Sequence, residues 1–192
     1  MKKSTRVAIA FFAAMLVIGT RAWADEYTDT IALFKKAGQS AWFFESSYGY
    51  AVFPTIGKGG LVDGGAHGDG HVYARGKYVG DSSMTQVSVG LQAGGKAYSQ
   101  MIFFKDKQAF NTFTSGNFQF GAGVGVVVIT AAAGGEASTG GSTAGASASK
   151  KNATTAGDYQ NGVAVFAIQK GGAMFEASVE GQKYSYKPLS RS

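Results

Sequence analysis

Between Tyr48 and Gly70 the chain reads YGYAVFPTIGKGGLVDGGAHGDG, and no other stretch limits the fold so tightly. A short apolar run, Tyr50-Ala51-Val52-Phe53, is expected to be a buried strand that Pro54 stops. Lys58 follows on a turn among Gly57, Gly59 and Gly60, and Leu61-Val62 lead into Gly64-Gly65. Glycines repeated inside a strand pattern indicate bulges, or a second backbone or ligand approaching closely. The stretch carries no catalytic motif. It reads as a scaffold presenting one lysine.

The start of the chain reads as an address. Lys2, Lys3 and Arg6 precede an apolar run from Val7 to Ile18, and Ala22-Trp23-Ala24 forms an A-x-A cleavage site. That combination predicts a cleaved secretory signal peptide over residues 1–24, with an apolar run too short for a comfortable membrane span. Cleavage leaves 192 − 24 = 168 residues, expected to form one domain over 25–192. A domain of that size buries roughly 68–70% of its unfolded surface. The formal charge of +6 falls to +2 once Lys2, Lys3, Arg6 and Arg21 leave (14 Lys+Arg against 12 Asp+Glu). So global charge gives no case for nucleic acid, and an electrostatic partner has to be met by a local patch. No cysteine is present, which excludes thiolate chemistry, disulfides and N-terminal lipidation on sulfur.

With 29 Gly and 2 Pro, the composition favours a turn-rich β protein over a helical bundle. Asp25 to about Ala37 nevertheless predicts an amphipathic helix. Acidic Asp25, Glu26 and Asp29 lie at its start and Lys35-Lys36 at its end, and Tyr27, Ile31 and Phe34 share a face. Gly38 is expected to end it, with a further helical turn or two over Gln39–Ser46 carrying Trp42, Phe43 and Phe44. His71 to Val79 alternates as one strand, placing Tyr73, Arg75 and Lys77 on one side and Val72 with Ala74 on the other. Met84 to Ala93 puts Val87, Val89, Leu91 and Ala93 on a common face, and Ala97 to Phe104 is a further strand.

Lys105 to Phe113 fits a short helix with Phe110 and Phe113 inward. Phe118 to Ile129 follows, with Val126 to Ile129 as a buried strand. Residues from about 130 to 157 are almost all Ala, Gly, Ser and Thr, which predicts a flexible loop. Gly162 to Ile168 and Gly172 to Glu180 are expected as two strands around Lys170-Gly171-Gly172, with Tyr184 to Tyr186 extending the second before Pro188. Together these elements predict an α+β domain. Its curved, mostly antiparallel sheet or partial barrel would be packed by an N-terminal helix and one short internal helix.

Three blocks carry a resemblance. Tyr50-Ala51-Val52-Phe53-Pro54, Gly57-Lys58-Gly59-Gly60-Leu61-Val62 and Gly64-Gly65 are similar to the opening of the SYLF domain. Ser88 to Gly95 running on to Met101-Ile102-Phe103-Phe104, then Val163-Ala164-Val165-Phe166 and Gln169-Lys170-Gly171-Gly172 ahead of Ala177 to Gly181, match later blocks in order. The chain resembles the bacterial exported branch of that family, across about Gln39 to Lys187. The family includes eukaryotic phosphoinositide-binding, actin-associated proteins, so the resemblance implies a lipid-contacting surface.

Reactive side chains are not gathered anywhere. His67, Asp69 and His71 would share a face of an extended strand, which makes a weak metal site conceivable; turn and surface roles are the commoner explanation, and no metal is assigned. Gly57-Lys58-Gly59-Gly60 lacks the spacing of a phosphate loop, and no G-x-S-x-G elbow occurs. The expectation is therefore non-catalytic and cofactor-free. The basic residues nearest the organising stretch, Lys35, Lys36, Lys58, Arg75 and Lys77, with Trp42 beside them, form the candidate surface for an anionic phospholipid membrane. The alternative is a module that contacts an envelope protein partner through a sheet edge or the flexible loop. Either way the protein is expected to be exported, to the periplasm, the cell envelope or out of the cell.

Overall fold

The computed structural model describes residues 26–59, 63–89, 96–120, 124–131, 137–138, 158–171 and 181–190. The signal peptide, most of the 130–157 loop and the expected Gly172–Glu180 strand lie outside these residues. Helix α1 spans 26–36 and is followed at once by α2 (Gly38–Ser46). Nine strands come next, with α3 (Lys107–Phe113) after the fourth. They are β1 (Gly49–Gly59), β2 (Asp63–Ala74), β3 (Lys77–Val89), β4 (Lys96–Phe104), β5 (Phe118–Gln119), β6 (Val126–Ala131), β7 (Ala137–Ser138), β8 (Val163–Gly171) and β9 (Gln182–Pro188). Their order across the sheet is β5-β9-β3-β2-β1-β4-β8-β6-β7, antiparallel throughout except where β6 runs parallel to β8. The sheet curls into a half-barrel with helices packed on it, in keeping with the expected α+β class.

Both faces of the curl are apolar, which explains why its central strands read as near-continuous hydrophobic runs. On the outer face α1 and α2 bury Tyr27, Phe34, Ala37 and Phe43 against Val52, Met101, Phe103, Phe166 and Ile168. Fully burying each phenylalanine stabilises the layer by about 1.5–3 kcal/mol. Inside the curl Ala51, Phe53, Ile56, Ile102, Phe104 and Val165 meet Phe113 of α3 and Tyr184 of β9. The Asp106 carboxylate fixes the start of α3 by accepting from the Ala109 amide at 2.9 Å. Gly38 opens α2 rather than ending α1: Ser40, fully buried, donates to the Phe34 and Ala37 carbonyls and locks the two helices end to end.

Pro54 does not stop β1. The strand runs through it with one extra residue, because Val52 pairs with His71 but Gly57 with His67, and Phe53 pairs with Gln100 but Ile56 with Tyr98. A proline has no ladder hydrogen to lose at such a bulge. Its carbonyl accepts from Ser99 Oγ at 2.6 Å. The extra residue shifts the alternation so that Phe53 and Ile56 both point into the curl. That in turn explains Gly68 and Gly70 of β2. A Cβ on Gly70 would sit 2.5 Å from Phe53 Cε1 and 2.8 Å from the Val52 carbonyl, and one on Gly68 would sit 2.7 Å from Ile56 Cγ1. Gly70→Ala is expected to cost about 1–3 kcal/mol as overpacking, read as a lower urea midpoint with an unchanged slope.

Another expectation is corrected. Arg75 and Lys77 do not continue a strand with Tyr73: Arg75 (φ 49°) and Gly76 (φ 75°) form the tight turn between β2 and β3, and Lys77 opens β3. The Val87 face of β3 is the outer one, with Val87 78% exposed. What β3 turns inward is Ser82, Met84 and Gln86, because Gln86 pairs in register with Gln182 of β9, whose amide donates to it. Gln182 also bonds with Tyr98 and Tyr184, and Gln100 donates to both Gln182 and Tyr184, so the interior holds a polar knot in an aromatic setting. Tyr184 lies on β9, which runs antiparallel along β3, and Ala137–Ser138, within the expected loop, pair with the end of β6.

Candidate functional site

One end of the sheet gathers several chain turns in a row. The Arg75 amide donates to the Tyr48 carbonyl, the Tyr48 amide to the Phe104 carbonyl, and the Lys105 amide to the Gly162 carbonyl, each at 2.9 Å. These bonds line up the β2–β3 turn, the α2–β1 joint, the β4–α3 joint and the Asn161–Gly162 turn along one rim. Neighbouring strands lie about 4.8 Å apart, so Arg75 and Lys105 flank Tyr48 within roughly 10 Å along the backbone. Lys77 pairs with Ala74 beside them, and Lys107 begins α3.

The helices bring the rest. Phe44 of α2 packs edge-on against Tyr50 and Phe103, and Lys35 Nζ lies 5.4 Å from the Phe44 ring centre. Arg75 Cζ lies 5.2 Å from the centre of the Tyr48 ring. A cation over an exposed ring face is held by about 0.5–1 kcal/mol, which orients the charge without removing it from water. Trp42 packs its edge on Phe43 yet remains 61% exposed, so of the three α2 aromatics it alone is turned outward. Lys36 is exposed next to Lys35 in the last turn of α1.

Of the six residues singled out from sequence, Lys35, Lys36, Trp42, Arg75 and Lys77 therefore come to this end. Lys58 does not. It lies within β1, not on a turn, nine residues from Gly49 and so roughly 30 Å along the strand. Lys170, near that opposite end, is tied to Glu26 at 3.2 Å and Thr55 at 2.8 Å; the Thr55 bond, then Lys170, hold the Glu26 carboxyl below its usual range. Lys105 and Lys107 are rim residues that sequence reading missed. The signal was their position at the end of the Met101–Phe104 run, since a residue directly after a strand lies at the sheet's rim. The segments that meet at this end carry six cations (Lys35, Lys36, Arg75, Lys77, Lys105, Lys107) and three carboxylates (Glu45, Asp106, Asp158).

A hollow of about 260 Å³ opens into the same end, between α3 and the turn before β8. Ala109, Phe118 and Val163 give it apolar walls, and Asp106, Gln108, Thr112 and Asn161 give it polar ones. The turn is closed by reciprocal Gln160–Val163 backbone bonds and needs positive φ at Asn161 (52°) and Gly162 (81°). A Cβ on Gly162 would stand 3.0 Å from that of Ala109, so glycine lets α3 come this close.

The outer face carries a second hollow of about 400 Å³ beside Tyr27, Asp69, His71, Asp81 and Lys187. His67, Asp69 and His71 do share that face, but the two imidazoles turn to different carboxylates: His67 lies 3.7 Å from Asp69, and His71 lies 3.6 Å from Asp81. Among the described residues no group of three or more His, Asp or Glu side chains is placed to hold a metal ion. His71 stacks on Tyr27 with ring centres 3.5 Å apart and planes within 4°. Burial lowers its pKa, only partly opposed by Asp81, and burial first, then Asp69 and Asp81, pushes the Tyr27 phenol up to about 12. A neutral imidazole against a neutral phenol is a packing joint. It seats α1 on the sheet.

Residues 85–188 match the family described as "Ysc84: Las17-binding protein actin regulator". That is more than half of the chain. The chain belongs to the Ysc84 (SYLF) family. This family is associated with lipids and with actin regulators. A relative described as "Beta cell expansion factor A", from Aeromonas veronii, is 30% identical over 159 residues, covering 82% of this chain and 52% of that protein. The chain thus spans about half the length of this SYLF relative.

Proposed function

We propose that this SYLF chain is a non-catalytic, exported protein of the cell envelope that docks reversibly on anionic phospholipid surfaces through the basic rim. One observation carries the reading: Lys35 and Arg75 are seated over Phe44 and Tyr48 on the same end as the outward-turned Trp42. An interfacial site needs this combination of cations for headgroup phosphate and an amphipathic ring for the headgroup–acyl boundary. Each Lys or Arg near an anionic surface contributes about 1 kcal/mol. Six cations offset by three carboxylates leave about 3 kcal/mol of net attraction on that scale. Docking is therefore peripheral and salt-sensitive. The actin-regulator role in the family's description does not carry over, because an exported bacterial chain meets no actin.

Co-sedimentation with vesicles tests it. The protein should pellet with anionic vesicles at about 0.1 M salt, where the screening length is about 10 Å, and be released near 1 M, where it is about 3 Å. Vesicles of phosphatidylcholine alone should leave it in solution. Equal pelleting with both, or with neither at low salt, contradicts the reading.

A further inference from the structure

We propose that the hollow between α3 and the Asn161–Gly162 turn is a headgroup pocket selective for a phosphodiester bearing a free polyol, the glycerol head of phosphatidylglycerol, over a bare phosphomonoester. The proposal rests on the membrane-docking reading and says which headgroup that rim prefers.

The charges around the hollow are arranged in two tiers. Lys105 and Lys107 bracket Asp106 in sequence, on the rim where phosphates would arrive. The lining itself contains no cation: its polar groups are the Asp106 carboxylate, the Gln108 and Asn161 amides and the Thr112 hydroxyl. One Asp106 oxygen caps α3 through the Ala109 amide. The other makes no bond among the described residues and is an acceptor for a hydroxyl. Thr112 already donates its proton to the Gln108 carbonyl at 2.9 Å, so its oxygen is left to accept. Acceptors and amides inside, with cations outside, suit hydroxyl groups that lie one bond path beyond a phosphodiester. The Ala109, Phe118 and Val163 walls suit the carbon backbone of that polyol.

A phosphomonoester fits badly. It carries between one and two negative charges at neutral pH and keeps at most one P–OH to donate. Entering the hollow, it would face the Asp106 carboxylate with no cation beside it. A simple cationic surface orders the two lipids by charge and prefers the phosphomonoester. The pocket reverses that order, and the reversal is the signature.

The experiment compares binding of the purified protein to vesicles of phosphatidylcholine containing equal mole fractions of phosphatidylglycerol or phosphatidic acid. About tenfold tighter binding to phosphatidylglycerol is expected, the worth of a hydrogen bond to a charged group. Asp106→Asn keeps a good helix cap while removing the charge, and should abolish the preference by raising affinity for phosphatidic acid. The pair Gln108→Leu and Thr112→Val should reach the same loss of preference from the other side, by weakening phosphatidylglycerol alone. Equal or tighter binding of the unmodified protein to phosphatidic acid overturns the pocket while leaving docking intact. So does an unchanged ratio in Asp106→Asn. Failure to bind either vesicle removes the docking reading and the pocket with it. Soluble glycerophosphoglycerol that displaces the protein from vesicles at equal headgroup concentration would assign the pocket to a soluble polyol phosphodiester and overturn the membrane assignment.

Discussion

Replacing Arg75, Lys77 and Lys105 together by glutamine is expected to weaken binding to anionic vesicles about 140-fold. The figure follows from about 1 kcal/mol for each cation near the surface, or about 3 kcal/mol in all, at 1.4 kcal/mol per factor of ten. Arg75 and Lys105 lie on the rim row defined by the Arg75–Tyr48, Tyr48–Phe104 and Lys105–Gly162 backbone bonds, and Lys77 pairs with Ala74 beside it. None takes part in a described salt bridge, so their loss costs the folded state little beyond the Arg75–Tyr48 ring contact. Thermal unfolding should shift by no more than about 0.5 kcal/mol for each lysine and about 1 kcal/mol for Arg75. Lys58→Gln serves as the matched control. It removes the same charge from the opposite end of β1 and should change affinity by less than twofold. Equal losses from Lys58→Gln and from Arg75→Gln would mean that the whole molecule's charge is being read, with no rim involved.

Phe103→Ala should be the most destabilising single truncation on the outer face, costing about 3–5 kcal/mol. Phe103 is fully buried where β4 meets α2 and β8, with Phe44 at 4.9 Å, Phe43 at 5.4 Å and Phe166 at 5.8 Å between ring centres. Removing it opens the seam between the helices and the sheet, and no neighbour on a rigid strand can move in to fill it. Against a total of about 5–15 kcal/mol for a domain, that is a large share. Equilibrium urea unfolding followed by near-ultraviolet circular dichroism provides the measurement. A loss below 1 kcal/mol would show that the helices are not held by this seam. Lipid affinity should fall too, because Lys35 and Trp42 are presented by the helices that Phe103 anchors.

Much of this architecture is legible in the residues themselves. Tyr27, Ile31 and Phe34 at helical spacing give α1 and its buried face, and Val163 to Ile168 gives β8, because a run of β-branched and aromatic residues longer than four has few other uses. What escaped reading depends on partners distant in sequence. Val87 belongs to an alternating pattern that does not reveal which side is wet. That is decided by β9, which offers Gln182 and Tyr184 to the other side of β3. Pro54 reads as a stop until its strand is seen to lie between β2 and β4 with an extra residue to absorb.

Arg75-Gly76 was missed as a turn because the first position usually carries Asn, Asp or Gly to reach positive φ. Here the arginine does so with its side chain over Tyr48. The rim suffered from the same blindness. Lys35 and Trp42 could be read from helix pattern, but Lys105 and Lys107 join them only through strand order. Lys58 was drawn in by sequence proximity to a stretch that β1 extends away from the rim.

Trp42 offers the most direct measurement. The sequence holds two tryptophans, Trp23 and Trp42, so the chain beginning at Asp25 has a single reporter at the centre of the claim. On adding anionic vesicles its emission should shift to the blue, and lipids brominated near the headgroup end of the acyl chain should quench it. Both changes should reverse at high salt. Emission that stays unshifted and unquenched while the protein pellets with the vesicles would contradict the account, because the surface touching the membrane would then be somewhere other than the rim.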